Sequence, residues 1–333
     1  MKTFEYSKPE SLSSALNNAP TSDNVEVPSF RFIAGGTTLV DLMKLNVEVP
    51  STLMDITGLP LDKIETTKQG GLKIGALVRN SDLANHPYVK THYSALSEAI
   101  LAGASTQLRN RATTGGNLLQ RTRCSYFRDP AYACNKREPG SGCPAIEGEH
   151  RNLAIMGTSE HCVASNPSDM NVALMALDAK IEIESTKGHR VVAITEFYKE
   201  PGETPHIETV LQPGEIITYV HIDPPPAGTI SQYLKLRDRA SYEFALASAA
   251  VFVQMNGNKI SFLRVAMGGI GTKPWRAGEV EKALEGKNAD ADAFAAAAEK
   301  LLSSAKPLRD NKFKVELAKR CLVHSLNTTT SQT

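Results

Sequence analysis

Apolar and polar positions along this chain switch repeatedly between a period near two and a period near 3.6. Residues 31–33 carry a strand pattern, 34–38 a turn, and 39–45 a helix with Leu39, Leu42, Met43 and Leu45 on its apolar face. Residues 52–56 predict a second strand, and 64–67 and 72–77 flank Gln69-Gly70-Gly71 as a hairpin. Ser81 is placed to cap a short helix, and 93–101 predicts a longer one. Helical spacing returns at 170–177, followed by strands at 180–184 and 190–194 around a Thr186-Lys187-Gly188 turn. Three more strands are predicted at 232–237, 245–254 and 260–267, then two helices at 291–303 and 312–325. No internal repeat is present.

Two stretches break the rhythm. Residues 120–165 hold Cys, Pro, Gly, Arg and Asn with little periodicity, a long irregular segment of the kind that carries function or disorder. Pro224-Pro225-Pro226 followed by Ala227-Gly228 reads as a linker. The expectation is two domains, 1–225 and 226–333, with an insertion at about 120–165 in the first.

Length and composition fit that division. A chain of 333 residues can bury two cores, and 41% hydrophobic with 22% charged residues is the profile of an ordinary globular protein. A net charge of +1, from 37 basic and 36 acidic residues, leaves no footprint for nucleic acid or an anionic membrane. The longest apolar stretch, 244–255, is shorter than the ~18–20 residues a bilayer helix needs and contains Ser248 and Gln254. The opening MKTFEYSKPESL lacks the apolar core of a secretory signal, so the chain is expected to start in the cytoplasm. Four of the five cysteines crowd between 124 and 162, which asks for a cofactor rather than disulfides.

Three motifs carry chemistry. Ile33-Ala34-Gly35-Gly36-Thr37-Thr38-Leu39 joins a strand to a helix, and its glycines and helix start suit a pyrophosphate; a plain tight turn has the same letters. The GxGxxG dinucleotide fingerprint is absent from the chain. Thr113-Thr114-Gly115-Gly116-Asn117-Leu118 is a second small-residue turn with two hydroxyls and an amide for phosphate or ribose. Cys124, Cys134, Cys143 and Cys162 fit either a [4Fe–4S] cluster or structural zinc, and their wide spacing, with no CxxC pair, leans toward the cluster. Cys321 lies in an amphipathic helix and reads as a core thiol, and His161 as a loop histidine. Lys235 and Arg237 read on composition as a solvated strand edge. There is no GxSxG elbow and no nucleophile or acid–base constellation.

AGGTTLVDLMK, LAGASTQLRNRATTGGNLLQ, NPSDMNVALMALDA, RDRASYEFALASAAV and VAMGGIGTKPWRA occur in an order that resembles the FAD subunits of the xanthine dehydrogenase and aldehyde oxidase family, the molybdenum hydroxylases. The resemblance covers nearly the whole chain. It implies an α+β protein: a two-lobed α/β FAD-binding domain (PCMH-type, vanillyl-alcohol-oxidase-like) followed by a C-terminal domain of antiparallel sheet and helices. It also implies FAD held by Ile33, Ala34, Gly35, Gly36, Thr37, Thr38, Leu39 and Val40 on one side of the pyrophosphate. Thr113, Thr114, Gly115, Gly116 and Asn117 would hold the other side. Gly103 would join them, Asp169 would contact the adenosine part, Ile216 or Ile217 would line the adenine or flavin pocket, and Lys235 would lie near the flavin ring.

The insertion TRCSYFRDPAYACNKREPGSGC with the later SEHC is similar to that of the flavin subunits of bacterial periplasmic aldehyde oxidoreductases, which implies a [4Fe–4S] cluster on Cys124, Cys134, Cys143 and Cys162. The implied partners are a small [2Fe–2S] subunit, a large molybdenum-cofactor subunit and an external electron acceptor; the absence of a dinucleotide fingerprint favours oxygen, ferredoxin or another carrier over NAD. The resemblance implies that a partner oxidises an aldehyde and that this chain passes the electrons on. The implied compartment is the periplasm, reached by co-export with a signal-bearing partner; otherwise it is the cytoplasm. A xanthine dehydrogenase or 4-hydroxybenzoyl-CoA reductase-like enzyme is the alternative within the family, and a zinc-stapled structural subunit the alternative outside it.

Overall fold

A computed structural model describes residues 1–22 and 29–332 of the chain. Three sheets organise it. The first is parallel: β1 (Glu5–Ser7) and β2 (Phe30–Ile33) flank β3 (Thr52–Asp55). The helix Leu39–Lys44 follows β2 directly, and its buried residues are Leu42 and Met43. Leu45, expected on that apolar face, is 37% exposed, because the helix stops at Lys44 and Asn46 turns the chain away with a positive φ of 56°. Leu16, Met54, Ile56, Leu59 and Leu77 form this lobe's small core.

The second sheet is antiparallel throughout. Its order is β4 (Ile64–Thr66), β5 (Leu72–Gly75), β8 (Ile216–Ile222), β6 (Lys180–Ser185) and β7 (Gly188–Ala193). The predicted hairpin is β4–β5, tied by Gly71 N–H to Thr67 Oγ1 at 2.9 Å. The helices Ser94–Ala102 and Asp169–Ala176 cover the sheet, and the second is buried along its whole length. Such a helix shows no polar face, so its sequence looks apolar all round. Ser81 does not cap the preceding helix. That helix starts at Asn80 with Arg79 in the N-cap position, because Asn80 N–H is fixed by Ala112 O at 2.9 Å.

The third sheet has the order β12 (Trp275–Arg276), β11 (Lys259–Gly268), β10 (Ala247–Asn256), β9 (Ile230–Leu236), all antiparallel. The apolar run at 244–255 becomes β10, buried on both faces. Ala249, Val251 and Val253 point to the core under the C-terminal helices, while Ala250 and Phe252 point to the core of the second lobe. That two-sided burial explains why the strand lacks alternation in sequence. The helices Gly278–Leu284, Ala291–Leu302 and Phe313–Thr330 close the outer face. Among the described residues no helix is long and apolar enough to cross a membrane.

The segment 120–165 is ordered without regular strands. Its core gathers Leu42, Phe127, Leu153, Val163 and two of the cysteines. Lys314, fully buried on the C-terminal helix, pins its far end: Nζ donates to Leu153 O at 2.8 Å and Gly269 O at 2.7 Å.

Candidate functional site

β2 ends at Ile33 and the chain must turn at once into a helix. Gly36 makes the turn with φ of +73°. Gly35 allows a close crossing: a Cβ there would stand 2.0 Å from Arg111 O, so the first glycine turn lies directly on the chain entering the second. Among the described residues, the N–H groups of Gly36, Thr37 and Thr38 donate to no protein acceptor. They face a cleft of about 1020 Å³, at the upper end of the roughly 300–1,000 Å³ of ligand pockets. Uncommitted N–H groups in successive residues form a concavity that suits an anion.

The second turn is built differently. Thr113 caps the helix Thr114–Leu118, its Oγ1 accepting from Gly116 N at 3.2 Å. Thr114 N donates to Val78 O at 2.9 Å and Gly115 N to Ala76 O at 2.8 Å, so this turn is stitched to the chain after β5. Thr114 Oγ1 also donates to Val78 O, away from the cleft.

Ile33, Ala34, Gly35, Gly36, Thr37, Thr38 and Leu39 line the cleft, as do Thr113, Gly115, Gly116, Ile216 and Ile217. The two isoleucines start β8, where they seal the cleft floor. Val40, Thr114 and Asn117 lie outside the cleft wall. Asn117 turns its Oδ1 to accept from Ser168 Oγ and Gln120 Nε2, both at 2.6 Å, and so ties the second turn to the start of the helix Asp169–Ala176.

Gly103, Asp169 and Lys235 also lie outside that wall, and the fold brings them together elsewhere. Lys235 Nζ donates to Asp169 Oδ2 at 2.8 Å and to Ala102 O at 3.1 Å. A Cβ on Gly103 would stand 3.1 Å from Asp169 Oδ2. Tyr233, which the sequence did not single out, completes the group by donating to Asp169 Oδ1 at 2.5 Å. Burial, helped by the Asp169 charge, drives the Tyr233 phenol well above its ordinary value. Tyr233 stands two residues before Lys235 on the same strand face, a period-two signal that could have found it. Lys235 is thus a buried, paired cation rather than the edge residue that composition suggests.

Cys124, Cys134, Cys143 and Cys162 all line one small cavity of about 10 Å³, beside Phe127, Lys136 and His161. All are free thiols. Burial pushes Cys124 up to about 11, with the neighbouring Cys134 and Cys162 adding to the rise against N–H groups of Phe127 and Tyr126. Cys143 and Cys162 are likewise raised, first by burial. Among the described residues no group of three or more His, Cys, Asp or Glu side chains is placed to hold a single metal ion. Cys162 and Lys136 line both the cavity and the cleft, so the two spaces share a wall. Cys321 is pushed to about 12 by burial alone, as befits a core thiol.

Residues 2–225 match the family described as the FAD binding domain in molybdopterin dehydrogenase, and residues 232–329 match the CO dehydrogenase flavoprotein C-terminal domain. The chain is 51% identical over 328 residues to the aldehyde oxidoreductase FAD-binding subunit PaoB of Escherichia coli (strain K12), covering 98% of each protein. It is 30% identical over 309 residues to the glyceraldehyde dehydrogenase medium chain of Sulfolobus acidocaldarius, covering 93% of this chain and 90% of that one. Its fold matches a chain of reconstituted CO dehydrogenase from Oligotropha carboxidovorans with a TM-score of 0.77 at 22% identity, over 100% of this chain and 99% of the other. With the cleft, its glycine turns and the three-sheet architecture, these matches establish that the chain belongs to the FAD-binding subunits of the molybdenum hydroxylase family, oxidoreductase subunits.

Proposed function

We propose that this chain is the FAD and [4Fe–4S] electron-transfer subunit of a molybdenum-dependent aldehyde oxidoreductase, working between a small [2Fe–2S] subunit, a large molybdenum subunit and an external acceptor. The observation that carries the reading is the shared wall: a cleft with uncommitted N–H donors on one side and four converging cysteines on the other. Aldehyde as the substrate class comes from the relative at 51% identity, whose name carries that activity.

In this reading residues 1–225 hold the flavin, with the insertion at 120–165, and 226–333 form the C-terminal domain. Bound flavin supplies the exchange between one-electron and two-electron chemistry. The protein's own part is to bind and orient. Gly36, Thr37 and Thr38 offer N–H groups to a diphosphate, and Gly115, where a Cβ would stand 3.0 Å from Ala76 Cβ, lets the second turn pack tightly beside them. Ile216 and Ile217 give an apolar floor for a flat ring. The Asp169–Lys235–Tyr233 group holds the helix Asp169–Ala176 against β9, and so joins the two parts of the chain behind the cleft.

The cysteines fit a cluster better than a single zinc ion. Tetrahedral zinc with Zn–S near 2.3 Å draws its sulfurs to about 3.8 Å from one another. A cubane interposes its own irons and sulfides, and the four cysteines that line one cavity are spaced widely in the sequence with no CxxC pair of the kind zinc knuckles bring. For location we take the periplasm, by co-export with a signal-bearing partner, on the strength of the resemblance; fractionation that leaves the complex in the cytoplasm would set this aside.

The test is to mix the purified complex anaerobically with aldehydes and follow the flavin absorbance. Bleaching by an aldehyde is expected. Bleaching by xanthine with no response to any aldehyde would move the chain to a xanthine dehydrogenase.

A further inference from the structure

The wall between the cleft and the cysteine cavity is built of paired, partly buried charge. Lys136 lines both spaces; its side chain is 9% exposed, and its Nζ donates to Glu208 Oε1 at 2.8 Å and to Pro205 O at 2.9 Å. Glu208 also pairs with Arg121. Arg121 continues to Glu48 at 2.6 Å, and Glu48 to Arg31 at 2.7 Å. All five side chains line the cleft, and of the five Lys136 is the one that also lines the cysteine cavity.

Burial opposes the charge on Glu208, yet Arg121 and Lys136 hold its carboxyl below the ordinary range. Burial opposes Arg121 too, and Glu208 with Glu48 more than offsets it. Three cations against two anions leave one net positive charge in the wall. Desolvating five charges is costly unless they are well paired, and replacing such networks by apolar residues is often neutral or stabilising. Folding alone therefore does not require this row, and its position beside the thiols suggests an electrostatic task. A fixed cation in a low-dielectric wall favours the more negative member of a nearby redox pair, and screening there is weak.

We propose that Lys136, positioned by Glu208, tunes the cysteine-bound metal–sulfur group, shifting its reduction equilibrium toward the reduced form. This rests on the reading that the four cysteines hold a cluster. Lys136 is a tuning residue and Glu208 a positioning residue; neither is a ligand.

The test is a redox titration of the assembled complex followed by electron paramagnetic resonance, with iron, sulfide and flavin counted in every variant. Lys136→Gln is expected to keep its iron and to disfavour reduction of the extra cluster roughly tenfold, about 59 mV for a one-electron couple. Lys136→Arg is expected to restore the wild-type midpoint, which a packing defect would not predict. Glu208→Gln keeps an amide oxygen to accept from Lys136 Nζ while removing the opposing charge, and is expected to shift the midpoint the other way. Full iron with an unchanged midpoint in Lys136→Gln overturns the proposal, as does a Lys136→Arg midpoint displaced equally far. If Lys136→Gln sheds its iron, Glu208→Gln decides: an upward shift supports the proposal, and no shift or a downward one overturns it. Wild-type complex with flavin but no extra iron and sulfide removes the cluster reading itself, a failure visible before any variant is made.

Discussion

The loops 34–38 and 113–117 both set a glycine pair beside threonines, and both reach the same cleft, but they use their backbones in opposite ways. In the first, the N–H groups of Gly36, Thr37 and Thr38 are left without protein acceptors. In the second, Thr114 and Gly115 give theirs to Val78 and Ala76, and Gly116 gives its own to Thr113. One loop presents donors; the other is a brace that supports it through the contact of Gly35 with Arg111. Equal composition thus conceals unequal roles, because a backbone donor's partner is set by which strand runs alongside, not by the residue that carries it.

That contrast predicts an ordered set of outcomes. Gly35→Ala should be the most damaging, since its Cβ would fall 2.0 Å from a backbone oxygen that has no room to retreat. The expected cost is about 3 kcal/mol or more, with flavin content falling at least tenfold in the purified complex. Gly36→Ala comes next: a non-glycine residue at φ of +73° costs roughly 1–2 kcal/mol, and several-fold flavin loss with a modest fall in Tm is expected. Asn117→Ala removes an acceptor shared by Ser168 and Gln120 and should weaken flavin retention indirectly, with a loss of stability of about 1–2 kcal/mol. Full flavin occupancy in that variant would detach the brace from the site. Thr113→Val should be mildest, losing a helix cap worth about 1 kcal/mol while keeping most flavin. Complete flavin loss at an unchanged Tm in Thr113→Val would reverse the two roles.

Much of the architecture is legible in the chain. The strands at 31–33, 52–56 and 180–184 lie within a residue or two of β2, β3 and β6, because each is bounded by turn residues that end a strand locally. The buried helix Asp169–Ala176 and the two-sided strand β10 also lie within two residues of the expected 170–177 and 245–254, although both lose their polar face to neighbours that only the tertiary fold supplies. The start of the helix at Asn80 does escape: Ala112, 32 positions away in the chain, sets it rather than Ser81.

In the site, the glycine turns and the crowding of four cysteines announce themselves by composition. The charged row does not. Glu48 and Arg121 are 73 residues apart, and Lys136 and Glu208 are 72 apart. Each alone reads as an ordinary surface charge, and nothing local says they meet. Tyr233 is hidden likewise, its hydroxyl reaching a carboxylate 64 residues back.

The proposal of an iron–sulfur cluster beside the flavin of this chain is tested most directly by counting both. FAD, iron and acid-labile sulfide would be measured on one sample of the purified complex, beside its absorbance spectrum. The account predicts one FAD per chain and about four irons, with matching sulfide, beyond what the small subunit's clusters explain. Flavin with no iron beyond that number, or zinc in its place with no sulfide, would contradict it.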